Sequence, residues 1–345
     1  MKKWHFAAPA AALAVVAVMA AAVVGTGTAA PSKGSATFKV GLVSDVAKFN
    51  DKGFNQAQLA GAKLAAKKIP GVEIGTAESR SASDYLPNLA SFPRKGYQLV
   101  IAAGFLLADA EATAAKQFPN TKFAITDYDV TGAPFKGQVK NVEGLTYATQ
   151  QNSYLVGCLA ALMTKKQGGT QTIGVVGGLK IPSVDSFLAG YQAGAKKCNP
   201  GIKVLTGYSQ SFTDPAACKT VAQNQIDAGS QVEFNVAGPC GLATLDAADQ
   251  AGVWAVGVDV DQYVLHPQHT LTSAIKRVDR GVYLAIQGAK NGTFAGGKNL
   301  VFNLKNGGVG LGRTSPAVPA TFLKTIAGLK AQIVAGKIKP PTTVK

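Results

Sequence analysis

Histidine is almost missing from this chain of 345 residues, which contains only three. His5 lies in an apolar N-terminal segment, and His266 and His269 lie in a loop of sequence HPQH, with no acidic or cysteine partner evident near them. Two histidines three residues apart can bind a metal, but a solvated loop is the better interpretation here. The chain therefore offers few residues for a general base or a metal centre.

Motifs of nucleotide-dependent and hydrolytic enzymes are also missing. The chain has no G-x-S-x-G around a nucleophilic serine, no G-x-x-x-x-G-K-[ST] for phosphate binding and no G-x-G-x-x-G after the first strand. The glycines of GVVGG (174–178) and GPCGLA (238–243) are the turns that any α/β sheet needs at its strand ends. The sequence therefore predicts a protein that is not an enzyme and needs no metal or cofactor.

Acidic residues are the minority charge, because 35 Lys and Arg stand against 19 Asp and Glu and give a net charge of +16. Nucleic-acid binding would need basic clusters interleaved with aromatic residues. The lysines instead occur in ones and twos, as at Lys67-Lys68 and Lys165-Lys166. We interpret the charge as a surface property that favours solubility and anionic surfaces, and we expect no nucleic-acid partner.

The four cysteines lack the paired C-x-x-C spacing of zinc sites; they are Cys158, Cys198, Cys218 and Cys240. An even number in an exported chain predicts two disulfides, for which three pairings are possible. Cys198 and Cys218 flank one short strand and its loops. That proximity favours this pair and leaves Cys158 for Cys240.

Residues 1–30 have a basic start, an apolar Ala-rich run of roughly twenty residues and a small-residue end, which is typical of a cleaved export signal. The run is also nearly long enough for an uncleaved membrane anchor. No cysteine lies near Ala30, so we expect no lipid anchor on the chain's own cysteine. We expect an exported protein, periplasmic or secreted, and a monomer, because no exposed apolar stretch is evident.

The remainder of the chain alternates strands with helices, which predicts parallel β-α units with right-handed crossovers. About 315 residues are too many for one typical core and suit two domains. We assign residues 37–145 and 272–296 to an N-terminal lobe, and residues 146–271 and 297–338 to a C-terminal lobe. Several crossovers would join the two lobes as a hinge.

The stretch VGLVSDVAKFNDKGFN, from Val40 to Asn55, predicts a buried strand, a polar loop and the start of a helix. Asp51 is placed to cap this helix, because its carboxylate can accept the free N–H groups of the first turn. The loop follows the carboxyl end of a parallel strand, where open α/β sheets bind ligands. Asp45, Phe54 and Asn55 are therefore candidate ligand-binding residues.

Further strands end on polar or small residues that can face a cleft, among them Asp127, Gly238 and Asp259. The carboxylates have only Lys276 as a plausible buried partner. They suit a ligand rich in hydroxyl and amine donors, such as a ribose, because charge-assisted hydrogen bonds are the stronger kind. The ordinary alternative for each acid is a helix cap or a turn.

Aromatic residues follow strand ends in both halves of the chain, at Phe54 in the first and Phe187 in the second. Either ring could simply belong to the core, which is the usual place of phenylalanine. If two lobes close as a hinged clamp, however, the rings would meet. Two rings can stack on a flat heterocycle from both sides.

These pieces occur together and in order in one known family. They are GLVSDVAKFNDKGFNQ, FAITDYD, IGVVGGLKIPSVDSFLAGYQAGAK, VEFNVAGPCGLATLDAA, WAVGVDVDQ and TSAIKRVDRGVY. From about residue 38 to residue 338 the chain resembles the basic membrane protein family of substrate-binding proteins, which includes the purine nucleoside receptor lipoproteins. The resemblance implies the type I periplasmic-binding-protein fold, with two Rossmann-like lobes. It also implies a purine nucleoside such as guanosine, adenosine or inosine as the ligand, and an ABC transporter permease as the partner.

The resemblance further implies a role for each candidate residue. The base would lie between Phe54 and Phe187, with its polar edge bound by Asp45 and Asp127. The ribose would be held by Asp259 and Lys276, with backbone contacts from Gly238, and Asn55 belongs to the same motif. The chain departs from the family in lacking its common lipid-bearing cysteine and in having four other cysteines.

Two alternatives stay open. The same scaffold would suit another small ligand, such as a nucleobase or a sugar. An exported nucleoside hydrolase or phosphorylase would reveal itself by releasing free base from inosine or guanosine.

Overall fold

The structure is a computed structural model that describes residue 1, residues 37–137 and residues 139–344. The predicted export signal, residues 1–30, lies outside the described residues except for its first. Residues 37–345 form one compact unit. Their apolar strand runs assemble into two six-stranded sheets.

The first sheet is parallel throughout, with central strands that are buried on both faces. In chain order its strands are β1 (Phe38–Ser44), β2 (Val72–Ala77), β3 (Leu99–Ala103), β4 (Lys122–Thr126), β5 (Val142–Tyr147) and β11 (Asn299–Phe302), arranged as β11-β5-β4-β3-β1-β2. Four helices pack on it and complete what we call the first lobe: α1 (Phe54–Lys68), α2 (Tyr85–Arg94), α3 (Ala108–Gln117) and α8 (Val278–Asn291).

The second sheet repeats this arrangement, with one antiparallel pair at its edge. Its strands are β6 (Thr172–Gly177), β7 (Lys203–Tyr208), β8 (Ser230–Val236), β9 (Trp254–Asp259), β10 (Thr270–Lys276) and β12 (Val309–Leu311), arranged as β12-β10-β9-β8-β6-β7. The second lobe is completed by α4 (Thr149–Gln167), α5 (Pro182–Cys198), α6 (Pro215–Asp227), α7 (Leu242–Gln250) and α9 (Ala320–Val334). The predicted α/β architecture with parallel sheets is confirmed.

Two strands lie in the opposite lobe from the one expected from the sequence. β10 belongs to the second sheet, although residues 272–296 were assigned to the N-terminal lobe, because it extends that sheet in parallel register beside β9. β11 belongs to the first sheet, although residues 297–338 were assigned to the C-terminal lobe, because it pairs with β5. The chain therefore crosses between the lobes after β5, after β10 and between β11 and β12.

The predicted disulfide pairing is wrong. The structure joins Cys158 to Cys198 and Cys218 to Cys240, with Cα–Cα distances of 5.2 and 5.6 Å. Cys158 and Cys198 meet because α4 and α5 pack along each other. Cys198 borders the hydrophobic cluster of α4 and α5, whereas Cys218 and Cys240 belong to a separate cluster beneath α6 and α7. Cys198 and Cys218 flank β7 along the chain, but the two residues pack into different clusters and do not meet.

Glycines make the close packing of α4 against α5 possible. A Cβ atom on Gly194 would lie 1.9 Å from the carbonyl oxygen of Tyr154, and one on Gly157 would lie 2.1 Å from that of Tyr191. Because both obstacles are backbone atoms, a methyl group would force the helices apart. We expect Gly194→Ala to lower the free energy of unfolding in urea by about 1–3 kcal/mol.

The matched control for this substitution is Gly328→Ala, on the exposed side of α9, where an added Cβ meets nothing within 4 Å. There the greater helix propensity of alanine should raise the free energy of unfolding by about 0.5–1 kcal/mol. Equal effects at the two positions would contradict the account of the α4–α5 packing.

Candidate ligand-binding site

A cavity lies between the two lobes, at the carboxyl ends of the parallel strands. The residues singled out from the sequence all line it: Asp45, Phe54, Asn55, Asp127, Phe187, Gly238, Asp259 and Lys276. The structure thus brings the whole candidate set together, while the binding role of each residue stays a prediction.

Asp45 follows β1 directly and is 7% exposed. Its Oδ1 accepts hydrogen bonds from the backbone N–H of Ala47 at 2.9 Å and from the Asn55 amide nitrogen at 2.7 Å. Burial raises the pKa of Asp45 to about 6, against the opposing effect of these two donors. Asn55, which is fully buried, therefore orients the Asp45 carboxyl group from the first turn of α1.

Phe54 begins α1, as predicted, and the cap that fixes this helix start is Asp51. The Asp51 carboxylate accepts hydrogen bonds from the backbone N–H groups of Gly53, Asn55 and Gln56 at 2.8–3.0 Å, which confirms its predicted capping role. Opposite the ring lies Gly104, at φ +124°, where a Cβ would be 3.1 Å from Cε1 of Phe54. A side chain at this strand end would crowd the ring, so glycine leaves the ring its place in the cavity wall.

Asp127 and Asp259 occupy equivalent places in the two lobes. Asp127 comes directly after β4 and Asp259 ends β9, and both have left-handed backbones, with φ of +68° and +64°. A non-glycine residue in this region carries strain that is concentrated at functional sites in folded proteins. The same unusual turn therefore places a carboxyl group in the cavity from each lobe.

Lys276, at the end of β10, supplies the positive charge of the cavity and is only 3% exposed. Its ammonium group forms an ion pair with Asp127, so the contact joins a residue of the second sheet to one of the first. Burial raises the pKa of Asp259 to about 7, although the nearby Lys276 charge acts in the opposite direction. The cavity thus holds a cluster of acids around one buried cation.

Aromatic rings surround the Lys276 ammonium group. Its nitrogen lies 4.7 Å from the ring centre of Phe54, 5.7 Å from that of Phe187 and 5.4 Å from that of Tyr147. Phe187 lies in the second turn of α5 rather than at its start, and packs edge-on against Phe234. The two phenyl groups predicted from the sequence are therefore brought to one place from opposite lobes.

Sequence reasoning missed several aromatic residues of the site. Phe105 and Phe212 line the cavity, and Tyr147 stacks on Phe302 at 4.8 Å, beside Lys276. The sequence could have indicated Phe105, because this residue directly follows Gly104 at the end of β3. The sequence did not indicate Phe212, because it lies four residues beyond β7 in a polar loop.

The two histidines of the HPQH loop do have acidic partners, contrary to the sequence analysis. His266 Nε2 lies 2.8 Å from Oδ1 of Asp246, and His269 Nδ1 lies 2.6 Å from Oδ1 of Asp249, both on α7. These contacts hold the loop against the helix. Within residues 37–137 and 139–344, no group of three or more His, Cys, Asp or Glu residues is arranged to hold a metal ion.

None of the helices in the described part of the chain combines the length and apolar character needed to cross a bilayer.

Comparison with known proteins identifies relatives over almost the whole described chain. A family model for PnrA-like ABC transporter substrate-binding proteins matches residues 38–343. The ABC transporter nucleoside-binding protein BmpA of Lactococcus lactis subsp. cremoris is 35% identical, over 99% of this chain and 100% of that protein. Basic membrane protein A of Borreliella burgdorferi is 33% identical, over 90% of each chain.

Solved structures agree with the fold. An ABC transporter solute-binding protein from Aeropyrum pernix superposes with a TM-score of 0.80 at 26% identity, over 89% of this chain and 94% of that one. A solute-binding protein from Bacillus halodurans with bound myo-inositol gives a TM-score of 0.59 at 14% identity, over 86% and 99%. The latter likeness concerns the fold alone. The predicted type I periplasmic-binding-protein fold is confirmed, and the chain belongs to the family of PnrA-like ABC transporter substrate-binding proteins.

Proposed function

We propose that this protein captures a purine nucleoside between its two lobes and delivers it, outside the cytoplasm, to the permease of an ABC importer. The observation that carries the proposal is the convergence of Phe54 and Phe187, from opposite lobes, with the three acids at strand ends in one cavity between the lobes. The name of the Lactococcus relative, a nucleoside-binding protein, supports the same ligand class. We further propose that the protein is exported, acts as a monomer and catalyses no reaction.

The base would lie between the phenyl rings of Phe54 and Phe187, since aromatic stacking accepts any flat heterocycle. Its N–H groups would donate to Asp45 and Asp127. Asp45 is prepared for this role, because Asn55 and Ala47 occupy one of its oxygens and leave the other free of protein donors among the described residues. This arrangement binds the edge of the base without any reorientation of the carboxyl group.

The ribose would be held by Asp259 and Lys276. Vicinal hydroxyl groups can donate to the Asp259 carboxylate and accept from the Lys276 ammonium group, and both partners are already desolvated by the cavity. Gly238 would offer backbone groups to the ligand, because its φ of +57° turns the chain sharply at the cavity wall.

Closure would follow from contacts with both lobes. A ligand that touches Phe54 in the first lobe and Phe187 in the second favours the closed arrangement by the difference in its affinity for the open and closed states. The Asp127–Lys276 ion pair bridges the same two lobes. Ligand and ion pair would therefore favour the same closed arrangement.

A thermal-shift screen of the purified protein against nucleosides, nucleobases, nucleotides and sugars tests the proposal. A ligand that binds only the folded state stabilises it by about 2.7 kcal/mol at a hundredfold excess over its dissociation constant. We expect the midpoint to rise with guanosine, adenosine or inosine and not with sugars. A rise with sugars alone would contradict the nucleoside, and release of free base during overnight incubation would contradict the absence of catalysis.

Nucleoside affinity is expected to fall in acid. Hydrogen-bond donors of the ligand favour the ionised forms of Asp45 and Asp259, whose pKa values are raised to about 6 and about 7. Lowering the pH through this range protonates both groups, so binding at pH 5 should be about tenfold or more weaker than at pH 8. Isothermal titration calorimetry in buffers of different ionisation enthalpy should also detect proton release on binding near pH 6.5.

Asp259→Asn provides the control, because it removes the carboxyl group with the higher pKa. Nucleoside affinity in this variant should therefore change less with pH near pH 7. Affinity that rises as the pH falls would mean that the ligand accepts hydrogen bonds from protonated carboxyl groups, and would contradict this prediction.

A further inference from the structure

Two glycine turns at strand ends of the second lobe contact the same aromatic ring. A Cβ on Gly178, just past β6, would lie 2.3 Å from Cε1 of Phe212, so the ring covers this glycine at contact distance. On the other side, a Cβ on Gly238 would lie 3.8 Å from Cδ1 of the same ring. Phe212, Gly238 and Pro239 all line the cavity. We call these three residues the apolar wall of the cavity.

The loop that carries Phe212 is fixed at both of its ends. At its start, the backbone N–H groups of Ser209 and Gln210 donate to the carbonyls of Gly177 and Gly178 at 2.8 and 3.1 Å. At its end, the Asp214 carboxylate caps α6 by accepting from the N–H groups that follow it. Between these ends, the Phe212 backbone has one further hydrogen bond, in which its carbonyl accepts from the N–H of Cys240 at 2.9 Å.

The Cys218–Cys240 disulfide secures the donor of that hydrogen bond. It ties Cys240, two residues beyond Gly238, to the first turns of α6. The Cys240 sulfur also lies 2.8 Å from the carbonyl oxygen of Asp214, so the bridge packs directly against the end of the Phe212 loop. Pro239 has no N–H group of its own, which leaves Cys240 as the residue that connects the two halves of the wall.

We propose that the Cys218–Cys240 disulfide is a positioning element of the ligand site, which sets nucleoside affinity by holding Phe212 and the Gly238–Pro239 turn in place as an apolar wall of the cavity. The inference rests on the proposed function for the identity of the ligand. Both cysteines are fully buried, so the bridge acts as a fixed part of the wall rather than as a group exposed to reductants. Cys240 directly follows the lining residues Gly238 and Pro239, whereas neither Cys158 nor Cys198 adjoins a lining residue along the chain.

The Cys158–Cys198 disulfide provides a matched control, because its loss should affect stability more and nucleoside affinity less than the loss of Cys218–Cys240. Cys158–Cys198 closes a loop of 40 residues and Cys218–Cys240 one of 22, so loss of the former should cost at least as much stability. We expect Cys158→Ala/Cys198→Ala to show the larger fall in the thermal midpoint, with unchanged nucleoside affinity. Cys218→Ala/Cys240→Ala should show the smaller fall in midpoint with an affinity about three- to tenfold lower, since the ligand must then order the wall.

The route of the effect is tested by Phe212→Ala. Calorimetry at 20 °C should give a similar loss of affinity for this variant, and adding Phe212→Ala to Cys218→Ala/Cys240→Ala should cause little further loss, because both act through one ring. Hydrogen exchange should be measured without ligand at the backbone amides of positions 240 and 241. These amides should exchange faster in the Cys218→Ala/Cys240→Ala variant and at an unchanged rate in the Cys158→Ala/Cys198→Ala variant.

The outcomes separate this inference from the proposed function. Equal affinity losses in the two disulfide variants, full affinity in Cys218→Ala/Cys240→Ala, or unchanged amide exchange would overturn the positioning role and leave nucleoside binding intact. An unaltered protein that binds no nucleoside would instead overturn the proposed function, and with it the effect on affinity.

Discussion

Replacing Phe54 or Phe187 by a residue without an aromatic ring is expected to weaken nucleoside binding by roughly fivefold to 150-fold. Stacking of one base on one aromatic ring is worth about 1–3 kcal/mol when the ring is truncated to alanine, and about 1.4 kcal/mol corresponds to a factor of ten. For Phe54, which is half-buried at the start of α1, alanine is a suitable replacement. Titration calorimetry with guanosine or inosine would measure the change.

Phe187 needs a milder replacement, because it is 3% exposed and packs on Phe234 in the core. Phe187→Leu keeps most of the apolar volume while removing the aromatic face. Phe322→Ala, a partly buried phenyl group of α9 that does not line the cavity, is the matched control and should lower stability alone. Full affinity in both Phe54→Ala and Phe187→Leu would be incompatible with a base held between the two rings.

The convergence of the acids was predictable because of a geometric rule for parallel sheets. Asp45, Asp127 and Asp259 each follow a buried apolar strand, and all strands of a parallel sheet present their carboxyl ends at the same edge. The loop after β1 also offered Asn55, Lys276 was the plausible buried partner of the acids, and the resemblance to a known family then implied the role of each residue. Strand direction therefore placed each acid at the ligand-binding edge of its own sheet, and the meeting of the two edges followed from the expectation of two lobes that close on each other.

What could not be predicted depends on how helices and crossovers pack. The disulfide pairs are decided by which helices pack together, and the close α4–α5 contact joins Cys158 to Cys198 across 40 positions of the chain. Tyr147 lies beside Lys276 because β5 ends where the chain first crosses between the lobes, next to Phe302 at another crossing. The spacing of residues along the sequence does not indicate which of the segments that cross between the lobes contact each other.

The largest effect on stability is expected from Lys276→Met. This change leaves the buried carboxyl groups of Asp127 and Asp259 near each other without their cation, and removing one partner of a buried ion pair typically costs about 3–5 kcal/mol. Asp127→Asn should cost less, because Lys276 then keeps the charge of Asp259 nearby. Urea unfolding of the two variants at pH 8 would establish the order.

The cost of Lys276→Met should depend on pH in a definite direction. The pKa of Asp259 is already raised to about 7 by burial, and loss of the Lys276 charge removes the effect that opposes this rise. A carboxyl group whose pKa is higher in the folded state than in the unfolded chain favours folding at low pH, and this contribution disappears as the pH rises through the folded pKa. The difference in stability between the unaltered protein and Lys276→Met should therefore be small near pH 5 and largest above pH 7.

Two further variants decide whether charge is the cause. Lys324→Met removes one positive charge from the exposed face of α9 and should show no such pH dependence. Asp127→Asn combined with Lys276→Met removes the repulsion between the carboxyl groups, so the double variant should recover part of the stability that Lys276→Met loses at pH 8. If Lys276→Met were equally unstable at pH 5 and pH 8, and Asp127→Asn restored nothing, the side chain would act through packing, and the cavity would not depend on its cation to hold the acids of both lobes together.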